Sequence, residues 1–148
     1  MSIFVKLYEN KLYFKNTKTN NEYTIIPDKP FSQNDILIAN IDEAAKNIKL
    51  GIKKISSKIN IYLIKPKIYL QPMKDINNIT QVEHNGYMES FYKAGARALI
   101  IIKDENEVDK KIKIAAKNDN KNVWLFTLKY ILIMAIIAGI IILLEKIK

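Results

Sequence analysis

The stretch VWLFTLKYILIMAIIAGIIILL, residues 123–144, carries a single charged residue, Lys129, in 22 positions. A helix needs about 20 predominantly apolar residues to cross the hydrocarbon layer of a bilayer. The competing reading is a buried helix of a soluble core, but a domain of roughly 100 residues has too little surface to cover such a helix on all sides. The spacing therefore predicts one membrane-spanning helix over 123–144. Lys129 lies about two turns into it, from where its long stem snorkels to the headgroups. Trp124, Phe126 and Tyr130 gather at the same end, as interfacial aromatics do.

The flanks orient this span. Lys110, Lys111, Lys113, Lys117 and Lys121 precede it, and only Lys146 and Lys148 follow. Positive charge collects on the cytoplasmic side, so the amino-terminal domain is expected in the cytoplasm. The chain stops four residues after Leu144, which reads as a single-pass tail anchor. Residues 103–122, KDENEVDKKIKIAAKNDNKN, read as a charged juxtamembrane linker, either a solvated spacer or one whose lysines rest on anionic lipid. The opening MSIFVKLYEN lacks the apolar core of a secretion signal.

Composition narrows the chemistry. There is no Cys, and His84 is the only His. Disulfides, thiol catalysis, Cys-ligated metal and clusters of several His ligands are all excluded. With 24 basic and 15 acidic residues the formal charge is +9, which alone would suggest nucleic acid. Yet Arg97 is the only Arg, and Arg supplies most bidentate base and phosphate contacts. No lysine-rich segment interleaved with aromatics looks like a stacking platform, so no nucleic-acid partner is expected.

Residues 1–102 alternate between short β-rich runs and helical periods. IFVKLY and KLYFKN flank a tight turn at EN, and EYTIIP supplies a third strand, giving a meander. DILIAN reads as a further short strand. Over 41–55, Ile41, Ala44, Ala45, Ile48, Ile52 and Ile55 recur at helical spacing, with Asn40 or Asp42 at the start and lysines at the end, as the dipole prefers. INIYLIKPKIYLQP is strand material broken by Pro66, with the strand nearest the core over 67–71. TQVEHNGYMESFYKAGAR then forms a punctuated helix. Thr80 and Glu83 have capping-box spacing, Val82, Met88, Phe91, Tyr92 and Ala94 are expected on its buried side, and Gly95 sits where a left-handed helix end belongs. Glu83 is thus first a capping residue, and His84 a surface helix residue. The apolar run of ALIII suits a strand buried on both faces. The order β-β-β-α-β-α-β, with right-handed crossovers, predicts an α/β domain: a mixed sheet with helices on its faces.

PKIYLQPM followed by ITQVEHNGYMESFYKAGARALIII resembles the MreB family of bacterial actin-like, rod-shape proteins. Those carry a strand ending in Pro, a T-x-V-E helix, A-G-A-R and an apolar strand. The matching residues are Pro72, Thr80, Val82, Glu83, Ala94, Gly95, Ala96 and Arg97, and ILIANIDEAAKNI is similar to the family's short strand and Ala-rich helix. The resemblance covers roughly residues 36–102. It implies a ribonuclease-H-like half-domain, the first subdomain of an actin-like protein, held at the bacterial inner (cytoplasmic) membrane.

The departures from that family bear on function. Its first hairpin carries an Asp-x-Gly-Thr phosphate loop, where this chain has VKLYENKLYF. After the last strand it has a paired acidic motif with Pro and a small-residue helix; here KDENEV places Lys103 near the first acidic position, followed by Asp104 and Glu105, without Pro. The second actin-like domain is missing. No catalytic, cofactor-binding or metal residue is expected, and no cofactor. The expectation is a non-catalytic module with a protein partner, an actin-like filament protein in the leading reading. A docking subunit of a membrane secretion, pilus or transport complex fits the same features. A small metal-dependent hydrolase would need clustered carboxylates, and Glu9, Glu22, Asp28 and Asp35 are too scattered in the sequence to offer them.

Overall fold

The computed structural model describes residues 1–56, 65–75, 79–102, 110–114, 117, 124–125 and 127–136. The chain divides into two compact units, Met1–Ala116 and Lys117–Lys148. In the first, β1 (Ser2–Tyr8), β2 (Lys11–Asn16) and β3 (Glu22–Ile25) form an antiparallel meander, followed by α1 (Ile41–Ile55), β4 (Lys67–Pro72), α2 (Gln81–Lys93) and β5 (Ala98–Ile101). The five strands make one mixed sheet in the order β3-β2-β1-β4-β5, with β4 parallel to β1 and β5 parallel to β4. The α/β class and the order of elements agree with the reading of the sequence.

The alternation of β1 and β2 sorts the sheet into two faces. Val5 stands opposite Phe14 on one side and Leu70 on the other; Phe4 stands opposite Lys15 and Tyr69. The Val5 face holds the main core, where Ile3, Leu7, Leu12, Phe14 and Ile68 meet Ala44, Ile48 and Ile52 of α1 and Tyr87 and Phe91 of α2. Both helices cover this one face rather than one on each. The opposite face holds a small cluster of Phe4, Tyr69 and Ile102, joined by Tyr13, Ile100 and Ile112. Ile112 belongs to residues 110–114, which are helical, inside the stretch read as linker.

Local chemistry explains the first helix. The Asn40 side chain, rather than Asp42, accepts the Glu43 amide at 3.0 Å, leaving Asp42 and Glu43 in the first turn and Lys53 and Lys54 in the last, as the helix dipole favours.

DILIAN is not a strand. Asn34 and Asp35 both take left-handed conformations, φ 48 and 62, and close a tight turn in which Gln33 and Ile36 exchange backbone hydrogen bonds of 3.1 and 2.9 Å. Positive φ at two successive residues reverses the chain, so Leu37 and Ile38 enter the core from a loop. β5, expected to be buried on both faces, is the last strand of the sheet among the described residues, and its residues are half-buried.

The buried side of α2 agrees with expectation at Phe91 and Ala94 and departs from it elsewhere. Glu83, Gly86, Tyr87, Ser90 and Phe91 face inward, while Val82 is 77% and Tyr92 45% exposed.

In the second unit, residues 124–125 and 127–136 are helical. Trp124, Leu128, Ile131, Leu132, Ile133 and Ile136 are exposed along them. Among the described residues no helix is long and apolar enough to cross a membrane. Of the expected span, residues 123, 126 and 137–144 lie outside the described residues, as do the strand material at 59–64 and Lys103, Asp104 and Glu105.

Candidate interaction surface

The helix that carries the resemblance is pinned at both ends. At its start the Thr80 hydroxyl accepts the Glu83 amide at 3.2 Å and Glu83 Oε2 accepts the Thr80 amide at 3.1 Å, a complete capping box. Glu83 Oε1 accepts Lys74 Nζ at 2.9 Å, and the same ammonium donates to the Asp35 carbonyl at 2.6 Å. One lysine thus ties the left-handed turn at 34–35 to the start of α2. Glu83 is only 3% exposed. Burial by itself would raise its carboxyl, but Lys74 and the amide and hydroxyl of Thr80 outweigh that and hold it below the ordinary carboxylate value.

At the other end Gly95, φ +99, completes a Schellman motif: the Gly95 amide donates to the Tyr92 carbonyl and the Ala96 amide to the Phe91 carbonyl, at 2.9 and 3.0 Å. The Arg97 amide then donates to the Pro66 carbonyl at 2.8 Å, which feeds the chain into β5 beside β4. With both ends fixed, Gln81, Val82, Asn85, Glu89 and Tyr92 form an outward face. His84 is half-buried rather than on the surface. It lines, with Ile79, Met88, Leu99 and Ile101, a groove of about 500 Å³ between α2 and β5.

The hairpin between β1 and β2 is the place where the resemblance puts a nucleotide phosphate. Its turn residue Asn10, φ 46, accepts the amides of Phe31 and Ser32 on Oδ1 at 2.9 and 2.8 Å. Its own amide donates to Ser32 Oγ at 3.0 Å, and that hydroxyl donates to the Leu37 carbonyl at 2.7 Å. The chain's own loop occupies the hairpin tip.

The carboxylates weighed for metal chemistry are not brought together. Among the described residues no three of Asp, Glu and His form a group able to hold a metal ion. Glu22 is bonded to the Tyr13 hydroxyl and lies 3.3 Å from Lys15 Nζ, and burial with that carboxylate pushes the Tyr13 hydroxyl up to about 12. A second cleft, about 880 Å³, opens at the start of α1 among Phe31, Gln33, Asn40 and Glu89, where Lys93 of α2 is bonded to Asp42 of α1.

Sequence reasoning missed Lys74, Asn10 and Ser32 as fixing points. Asn10 had a signal, since Asn in a two-residue turn favours positive φ; the other two are joined to their partners only by the fold. No protein-family model matches the chain, and neither does any curated protein.

Proposed function

We propose that this chain is a non-catalytic, membrane-tethered protein-interaction module of actin-like ancestry. Its first unit acts as a ribonuclease-H-like half-domain of the MreB type, and its partner is an actin-like filament protein that it tethers or regulates. The observation that carries this reading is the pairing of a filled hairpin tip with an intact T-x-V-E…A-G-A-R helix. Phosphate binding needs free backbone amides at the tip, and the Asn10 amide is bonded to Ser32 while Asn10 Oδ1 takes the amides of Phe31 and Ser32. The helix, by contrast, keeps its caps at Thr80 and Gly95 and presents Val82 and Tyr92 outward. Exposed apolar residues on a pinned helix suit recognition by a protein. The element order β-β-β-α-β-α-β is the one expected of such a half-domain.

The tether is the apolar segment 123–144. Trp124, Leu128, Ile131 and Leu132 are exposed on its helical part, as lipid contact would require. The lysines before it support a cytoplasmic position for the first unit at the bacterial inner membrane.

A photo-crosslinking residue at Val82 of the full chain in its native cell tests the reading, with captured proteins identified by mass spectrometry. An actin-like filament protein is the expected product. Components of a secretion, pilus or transport complex would replace this reading with that of a docking subunit. Resistance of the full chain to alkaline carbonate extraction tests the anchor separately, and release into the soluble fraction would refute it.

A further inference from the structure

The lysines of β1, β2 and β4 are scattered in the sequence and collected by the register. Tyr8 stands opposite Lys11, Lys6 opposite Tyr13, Phe4 opposite Lys15 and Ser2 opposite Lys67, all on the side of the sheet away from α1 and α2. Among the described residues Glu22 is the single acidic strand residue on this face, and it is already engaged with Tyr13 and Lys15. The helical residues 110–114 add to the same charge. Ile112 packs on the Phe4–Tyr69–Ile102 cluster of this face, and Lys110 and Lys113 beside it are exposed. The helix layer is mixed instead: Glu43 is paired with Lys46, Asp42 with Lys93 and Glu83 with Lys74.

We infer that this side of the sheet docks on an anionic phospholipid surface through Lys6, Lys11, Lys15 and Lys67, together with Lys110 and Lys113 of the helical residues packed on it. The inference takes its bilayer from the membrane-tethered reading above and adds a preferred orientation of the first unit. Charge complementarity is the argument, and the aromatic side chains choose between polyanions. A stacking platform for nucleic acid needs open ring faces. Here Lys11 Nζ stands 4.2 Å from the centroid of the Tyr8 ring and Lys67 Nζ 5.2 Å from that of Tyr69, so lysines already cover these rings. Lysine heads, unlike Arg forks, act as point charges, which suits a diffuse anionic surface. Each lysine near such a surface favours contact by roughly fivefold.

The test is amine acetylation of the full chain in vesicles, read lysine by lysine by mass spectrometry. Neutral phosphatidylcholine is compared with the same lipid containing roughly one third phosphatidylglycerol. Lys6, Lys11, Lys15 and Lys67 are expected to be protected about fivefold or more in the anionic vesicles. Lys49, Lys53 and Lys54 on α1 should label equally in both, and the difference should vanish at about 1 M salt. A variant with all four strand lysines changed to Gln should lose the protection of Lys110 and Lys113. Equal labelling of the strand lysines in the two vesicle types would overturn the inference. So would protection by a single-stranded oligonucleotide with none from lipid. Flotation with neutral vesicles reports the apolar segment alone: a chain that fails to float there, yet is protected by added anionic vesicles, refutes the anchor and upholds the docking face.

Discussion

The ring of Phe14 occupies the space that a side chain on Gly51 would need. A Cβ built on Gly51 would lie 2.2 Å from the ring's tip and 2.3 and 2.7 Å from its neighbouring carbons. Phe14 is fully buried on β2, so α1 rests on the sheet through a contact that only glycine permits. In an exposed helix, Gly→Ala would stabilise by about 1 kcal/mol. Here the overpacking of a filled core, about 1–3 kcal/mol, should outweigh it. Gly51→Ala is expected to lower the urea midpoint of the 1–116 unit, and Phe14→Leu in the same chain to recover part of the loss. A more stable Gly51→Ala variant would mean that the ring moves freely.

Gly95 makes the opposite case. An added Cβ there meets nothing within 4 Å, but the backbone sits at φ +99. Any penalty for Gly95→Ala must be conformational, about 1–2 kcal/mol. Gly95→Asn should lose less, because Asn tolerates positive φ better. Chemical denaturation of the three proteins measures this ordering, and equal losses for Ala and Asn would show that the helix end tolerates another cap.

Glu83 links stability to pH. Its carboxyl titrates below its ordinary 4.5 in the folded chain, so the unfolded chain binds the proton more readily. The resulting stability is present in full above that ordinary value and is lost as pH falls through the folded value. Glu83→Gln keeps an oxygen for the Thr80 amide but leaves Lys74 without its anion, at a cost of about 1–3 kcal/mol at neutral pH. Stability measured from about pH 6 to about pH 3 should fall more steeply for the natural chain than for the variant. Parallel slopes would place the acid sensitivity in other carboxylates.

The first helix was legible because its isoleucines recur with one period and its partner is a plain apolar sheet face. The second was legible at its caps and misleading along its length. Glu83 turns inward to a capping box and a lysine, Gly86 turns inward opposite the Ile38 carbonyl, and Ser90 turns inward to bond the Tyr87 carbonyl. Val82, apolar, points out. Polar and small residues are buried there by hydrogen bonding and close approach, which periodicity of apolar letters does not register. DILIAN had the composition of a strand, but the left-handed pair Asn34–Asp35 fixes the turn that takes it out of the sheet. The lysine face was hidden for another reason: Lys67 joins Lys6, Lys11 and Lys15 only through the parallel register of β4 with β1.

Asn10 serves the hairpin in two separable ways, through its left-handed backbone and through its side-chain oxygen. Asn10→Gly preserves the first and deletes the acceptor of the Phe31 and Ser32 amides, bonds of 2.9 and 2.8 Å. Asn10→Ala deletes both. Leaving two part-buried amides without their partner costs about 1–3 kcal/mol, and the strained backbone of Ala adds about 1 kcal/mol more. Both variants should therefore be destabilised, Ala more than Gly, while Ser32→Ala loses both bonds that join the Asn10 amide to the Leu37 carbonyl. Hydrogen exchange at Phe31 and Ser32 should rise in Asn10→Gly even where the global unfolding midpoint is corrected for. Unchanged exchange at those two amides would show that the loop holds its place without Asn10, and that Asn10 is not what closes the tip.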